Sequence, residues 1–442
     1  MKIQLSDHFT YGRLLRFTLP SIAMMIFTSI YGVVDGFFVS NFAEEGAFAA
    51  VNFIMPFLMI LGTVGFVFGT GGSAIVANTL GEGDRKKATR LFSLFVYVSL
   101  ALGIIIAIIG FFTVRPIARL LGAEGQMLEG CVTYGRIIIL AVPAFILQME
   151  FQSFFVTAER PVLGLVSTVI AGVANMVLDL LLVAVFPLGI KGAAAATAIS
   201  QLLGALIPMI YFLLPNKSLL RLTATSFDMK AIVKAATNGS SEFMTNIAMS
   251  IVGMLYNVQL LHYAGENGVS AYGVLMYVSM IFSGAFIGYS VGIAPVVGYH
   301  NGAKNREELH GLLKKSLILI GLCSVLMVGL SEAMAYPLSR LFVGYDKELF
   351  DMTLSAFRIY SFSFLFMGYA IFASGFFTAL NDGVTSAVIS FLRTLVFQIA
   401  AVLILPLIWE LDGIWYSIIV AEVMAVALSA VFLAIKRKKY GY

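Results

Sequence analysis

Apolar runs of about twenty residues or more recur along this chain between short polar turns, the length of helices crossing a hydrocarbon core of ~30 Å. The pattern predicts spans near 14–41, 47–80, 91–114, 132–158, 162–187, 192–214, 236–264, 269–300, 316–336, 353–380, 385–408 and 413–435. No segment alternates apolar and polar residues as a barrel strand does, and a backbone in lipid must satisfy its own hydrogen bonds. The fold class is therefore an all-α membrane protein of twelve transmembrane helices.

The longest polar connection, roughly 215–235, divides the spans six and six. The halves align at an offset of 221–222: Arg136-Ile137 on Arg358-Ile359, Phe154-Phe155 on Phe376-Phe377, Gly81 on Gly302, Gly192 on Gly413 and Gly46 on Gly268. Six spans per half send both halves into the membrane from the same side, which makes the repeat parallel, with a pseudo-two-fold along the membrane normal. The predicted organisation is an N-lobe over 1–214, a cytoplasmic interlobe linker over 215–235 and a C-lobe over 236–442. Such an architecture binds substrate between its halves and alternates access by rocking them.

Charge orients the chain. Twenty Lys and Arg, including Lys2, fall on the side of the N-terminus, against five (Arg115, Arg119, Lys191, Arg340, Lys347) on the other. This positive-inside bias predicts cytoplasmic termini for a multi-pass membrane protein. The formal net charge of +4 thus reports orientation, and no basic cluster with aromatics points to nucleic acid. With 60% hydrophobic and 12% charged residues, the composition excludes a soluble protein of this size. Cys131 and Cys323 lie far apart and suggest neither disulfide nor metal. The first apolar run is too long for a signal peptide and contains Asp35. GTGG at 69–72 lacks the strand before and the Lys-Ser/Thr after that a phosphate loop needs, so transport is predicted to be ion-coupled, with no cofactor.

An acid in mid-membrane is costly and by default functional. Asp35 lies in the first span between Gly32 and Gly36, with Pro20 fifteen residues earlier; the proline and glycines predict a bendable helix. Asn175 and Asp179 project from one face of the fifth span, and Thr197 and Gln201 repeat that spacing on the sixth. Oxygen-only groups suit a hard ion such as Na⁺, with Asp35, Asn175 and Asp179 as ligands. Alternatively, two carboxyls packed together hold a proton. At the repeat offset Asp35 maps to Asn257, Asn175 to Phe397 and Asp179 to Ala401, which places any coupling ion in the first half. Gln148 and Glu150 on the fourth span join Asp35, Asp179 and Gln201 as candidate substrate contacts. Glu242, matching Pro20, reads as an acid at a helix N-terminus, and Arg393 and Glu422 as partners of each other. Abundant Phe and Met suit a promiscuous apolar site.

These features, with the ANTLGEGDRKKA stretch, the TAERP turn and the YHNGAKNREE turn, resemble the multidrug and toxic compound extrusion (MATE) family, in its MepA-like bacterial branch, over nearly the whole chain. The resemblance implies a V-shaped pair of six-helix lobes and export of cationic, often aromatic drugs in exchange for Na⁺ or H⁺. It implies that Asp35, Asn175, Asp179 and Thr197 form the N-lobe cation site, linked to bending of the first helix. NorM-type members place acids in the seventh and tenth helices; here stand Asn257 and no acid between Arg358 and Leu380, which argues against such a C-lobe site. The expected partners are small organic cations or drugs and membrane lipid, with the protein a monomer. The competing reading is a flippase for lipid-linked or polysaccharide precursors, whose anionic cargo fits an acidic first half poorly. An enzyme lacks a convergent catalytic set, and a channel fits a two-lobe repeat less well than a transporter.

Overall fold

The computed structural model describes residues 3–43 and 46–442, the side chain of Phe48 excepted; Lys2, counted above among the inner charges, lies outside them. Among the described residues there is no strand. Ten helices are long and apolar enough to cross a membrane, and an eleventh is the pair Lys347–Ser361 and Phe364–Ala379, bent by 49°. One of the ten, Ser240–Gly302, has 63 residues. At 1.5 Å per residue it would run ~95 Å if straight, three times the hydrocarbon core. It is not straight. Gly265 breaks it (φ 62°, ψ −154°), and Tyr256 and Tyr272 on either side stack with ring centroids 5.2 Å apart. The chain therefore doubles back there, and the helix makes two passes. Split there, Ser240–Gly302 gives two candidate spans in place of one.

Several boundaries differ from expectation; the helices predicted at 132–158, 316–336 and 353–380 begin at Gly125, Arg306 and Lys347. The seventh span begins at Ser240 rather than 236, because Met229–Asn238 forms a short separate helix that takes up the end of the polar linker. The last helix starts at Pro406, but its chain reverses at Trp409 and Glu410, whose dihedrals are not helical.

The repeated residues have local causes. Asp84 and Asn305 cap matching helices, accepting from the amides of Lys87 and Glu308. The left-handed residues recur at the same offset, Gly83 with Lys304 and Glu159 with Asn381. The glycines mark backbone contacts between the halves. A Cβ on Gly81 would lie 1.9 Å from the Tyr299 carbonyl oxygen, and one on Gly302 the same distance from that of Asn78. These two contacts are images of each other across the pseudo-two-fold. Further along, Gly288 and Gly292 lie against Ile22 and Thr18 of the first span, and Ser29 Oγ donates to the Met280 carbonyl at 3.1 Å.

This seal sits at the face that carries both termini. Leu5 and Phe9 are fully buried in it. The Leu5 amide donates to Glu159 of the first half, while the Phe9 amide donates to Glu308 of the second and Lys315 Nζ donates to the Phe9 carbonyl at 2.6 Å. The N-terminal segment thus straps the halves together. At the other end of the chain, Tyr440 donates to Asp382 at 2.8 Å and Lys436 pairs with the same carboxylate at 3.1 Å. Burial opposes the charge on Asp382, but Tyr440, Lys436 and Thr385 outweigh it and hold the carboxyl below its usual range. A depressed acid stabilises the fold above its unfolded value and loses that contribution as pH falls through the folded one. Asp382→Asn, which keeps the helix cap, is expected to lower the thermal midpoint at pH 7, with the gap to wild type closing in acid well below pH 4; thermal scans across pH check this.

Candidate functional site

The first span packs against the fifth where small residues admit it: a Cβ on Gly172 would lie 2.5 Å from the Phe27 ring and 2.8 Å from that of Tyr31. One turn beyond Tyr31, Asp35 lies beside Asp179 and Asn175 of the fifth span and Thr197 of the sixth. The Thr197 hydroxyl donates to Asp35 Oδ1 at 3.4 Å, a long bond. The four residues singled out from three separate spans therefore meet at one point. Asp179 and Asn175 are buried, at 0% and 1% exposure, whereas Asp35 is only partly covered. Among the described residues neither oxygen of Asp179 has a hydrogen-bond donor. Two carboxylates are both acceptors, so their contact becomes a hydrogen bond only when one of them is protonated, or a cation bridges them.

Two tyrosines escaped the sequence reading. Tyr31 lies beside Asp35 and reaches Gln148. Tyr134, from the fourth span, is buried near Asp35 and Thr197, and its hydroxyl has no hydrogen-bond partner among the described residues. The spacing of Tyr31 to Asp35 was a visible signal; nothing in the sequence marked Tyr134. Gln148 is buried against Gly204 of the sixth span, and the Gln201 carbonyl oxygen has no donor. Glu150 is fully buried two residues on, against Gly69 and beside Ser99. Pro20 sits inside an unbroken helix, Tyr11–Phe42, while Gly32 and Gly36 face open space, with nothing within 4 Å of a Cβ at either.

The helix carrying Asp179 widens immediately after it into a π-helical turn, Leu180–Val185. Other π turns occupy Val67–Gly72, which includes the GTGG stretch, and Leu392–Phe397. Such turns re-aim side chains and are frequent at functional sites. In the last of them Arg393 grips Glu422 through two nitrogens, at 2.8 to 3.1 Å. The two residues do pair, as their sequence placement suggested. Glu422 is 1% exposed. Arg393→Met, leaving that charge alone, is expected to cost about 3–5 kcal/mol of stability, most of which returns in the double variant with Glu422→Met; thermal unfolding in detergent checks both.

The MatE family model matches residues 20–181 and again residues 243–404, two stretches of equal length set apart by nearly the step of the internal repeat. The multidrug export protein MepA of Staphylococcus saprophyticus subsp. saprophyticus is 24% identical over 421 residues, covering 95% of this chain and 92% of the relative. A solved structure of MATE in complex with MaL6 superposes with a TM-score of 0.93 at 20% identity, covering 98% of each chain. An outward-facing multidrug resistance MATE family transporter of the MOP superfamily superposes at 0.92, also at 20% identity, over 98% of this chain and 97% of the other.

Proposed function

This chain belongs to the MatE family, whose model covers most of it in two matches, and from that membership we propose that it exports organic, often aromatic cations in exchange for protons or sodium ions. The family's multidrug members are transporters and not enzymes, and the curated relatives named above are multidrug export proteins. What carries the ion-coupled reading is the meeting of Asp35 and Asp179, from the first and fifth spans, with Asn175 and Thr197 beside them. A proton or a sodium ion between the two carboxyls satisfies oxygens that otherwise have no donor. The second half offers Asn257, Phe397 and Ala401 at the equivalent positions, so coupling belongs to the first half.

The face bearing both termini and most basic residues is the cytoplasmic one, by the positive-inside rule. The glycine seal then closes the cytoplasmic side. Cargo and ion exchange follow from rocking the halves about that seal, with the first span flexing near Pro20, Gly32 and Gly36 as the carboxyls load and unload.

The test is reconstitution into liposomes with pH and Na⁺ gradients imposed separately, following efflux of a fluorescent organic cation. One gradient drives efflux and names the coupling ion. Failure of both to drive it sinks the antiport reading.

A further inference from the structure

The polar connection between the halves carries three large apolar side chains that the protein leaves uncovered. Phe227, Met229 and Val233 are 71%, 58% and 55% exposed, although all three fall in the stretch 215–235 that hydropathy reads as a linker. Met229 and Val233 stand four residues apart on the short helix Met229–Asn238 and share one face of it. Lys230 and Lys234 repeat that spacing on the neighbouring face, and both are exposed. Ala231, Ile232 and Ala235 pack against the core instead. The outer surface of the helix therefore shows an apolar stripe and a basic stripe side by side.

Charge around the helix is one-sided. Between 215 and 238 stand Lys217, Arg221, Lys230 and Lys234, against Asp228 as the one acid. Asp228 caps the helix, accepting from the Ala231 amide at 3.1 Å, so its charge serves the positive end of the helix. Among the described residues none of the four bases pairs with an acid. The Thr225 hydroxyl donates to the Arg90 carbonyl at 3.0 Å, which sets a further exposed base, from the third span, beside the linker. A loop in water accounts for the bases but not for three bare apolar side chains. A surface among acyl chains accounts for the apolar side chains but not for the bases. Both together suit the boundary layer of a membrane, where apolar groups sink between the chains and lysines stay among the phosphates.

The helix is also placed for that layer. Only Gly239 separates it from Ser240, where the seventh span begins. Its ten residues reach ~15 Å, so the whole element stays near the bilayer edge on the face that bears the termini. Its last residue is tied to both halves, because Asn238 Nδ2 donates to the Gly71 carbonyl of the first at 3.3 Å and to the Thr378 carbonyl of the second at 2.9 Å. We propose that the linker helix is a binding site for anionic phospholipid, with Lys230 and Lys234 on the headgroup phosphate and Phe227, Met229 and Val233 among the acyl chains, anchoring the junction of the halves to the cytoplasmic leaflet. The site needs neither cargo nor coupling ion, so it stands or falls apart from the export reading.

Quenching by brominated lipid tests it on the full chain reconstituted in vesicles. Phe227→Trp places a reporter at the site, and the emission of Trp409 and Trp415 is removed by subtracting wild type in the same vesicles. The vesicles hold phosphatidylcholine and phosphatidylglycerol in equal parts, with bromine on the acyl chains of one lipid or of the other. Both lipids quench, and phosphatidylglycerol associates about fivefold or more tightly, the attraction of basic side chains to an anionic surface. Adding Lys230→Gln and Lys234→Gln lowers that preference by at least about threefold, while phosphatidylcholine still quenches because the apolar insertion stays. High salt lowers the preference in the same way. Both lysines are exposed, so the double variant keeps its fold. Quenching by neither lipid shows a surface that faces water or another protein, and overturns the proposal. Equal quenching by the two lipids, or an unchanged preference in the double variant, overturns it as well.

Discussion

Asp35→Asn and Asp179→Asn each reduce gradient-driven efflux of a fluorescent cation by at least about tenfold, while the protein still inserts and folds. The expectation rests on what the substitution removes. Asparagine keeps the size and most hydrogen bonds of aspartate but neither binds and releases a proton nor carries the charge that holds Na⁺. A hydrogen bond to a charged group is worth ~1.5–3 kcal/mol, hence about tenfold or more in any step that depends on it. The two variants differ in their second effect. Asp179 is buried and lacks a donor on either oxygen, so its amide relieves a contact between two acceptors and is expected to raise the thermal midpoint. Asp35 is partly open, and its amide changes stability little. Efflux at wild-type rates in both variants removes the pair from the mechanism.

Gly81→Val and Gly302→Val each abolish transport, by a different route. A Cβ at either position meets a backbone carbonyl oxygen at 1.9 Å, of Tyr299 in one case and Asn78 in the other. Backbone inside a packed helix yields far less than the end of a flexible side chain, so the seal cannot close over the added atoms. The halves must part at the terminal face. A cysteine placed at Ala77, which is fully buried in wild type, becomes reactive towards a membrane-impermeant thiol reagent applied from that face. By the pseudo-two-fold, both valines produce the same exposure. Normal efflux with Ala77→Cys still protected shows instead that the seal closes without these backbone contacts.

Hydropathy made the spans legible because a lipid core imposes one length on every crossing helix. The repeat was legible because its glycines answer to backbone contacts at the seal and its turn residues to matching caps, neither of which another residue type meets cheaply. Asp35 and Asp179 stood out because charge in lipid is rare. Tyr134 did not, since a tyrosine in an apolar helix reads equally well as packing. The π turns were hidden for another reason: one extra residue in a helical turn leaves composition and periodicity almost untouched. The short helix Met229–Asn238 was masked by the charges around it, which read as a loop. A cavity in the fold is lined by residues as distant as Glu242 and Glu422, which only the folded chain brings together.

The N-terminal strap has a bearing on how the protein is made. Phe9 is synthesised well before its partners, since Glu308 and Lys315 lie about three hundred residues later. At ~5–20 residues per second, the ribosome delivers them some 15–60 s after the strap emerges. Throughout that interval two large apolar side chains wait without their site. The strap is therefore translated long before its site exists and is among the last segments to dock, and its docking marks the moment when both halves stand assembled in the bilayer.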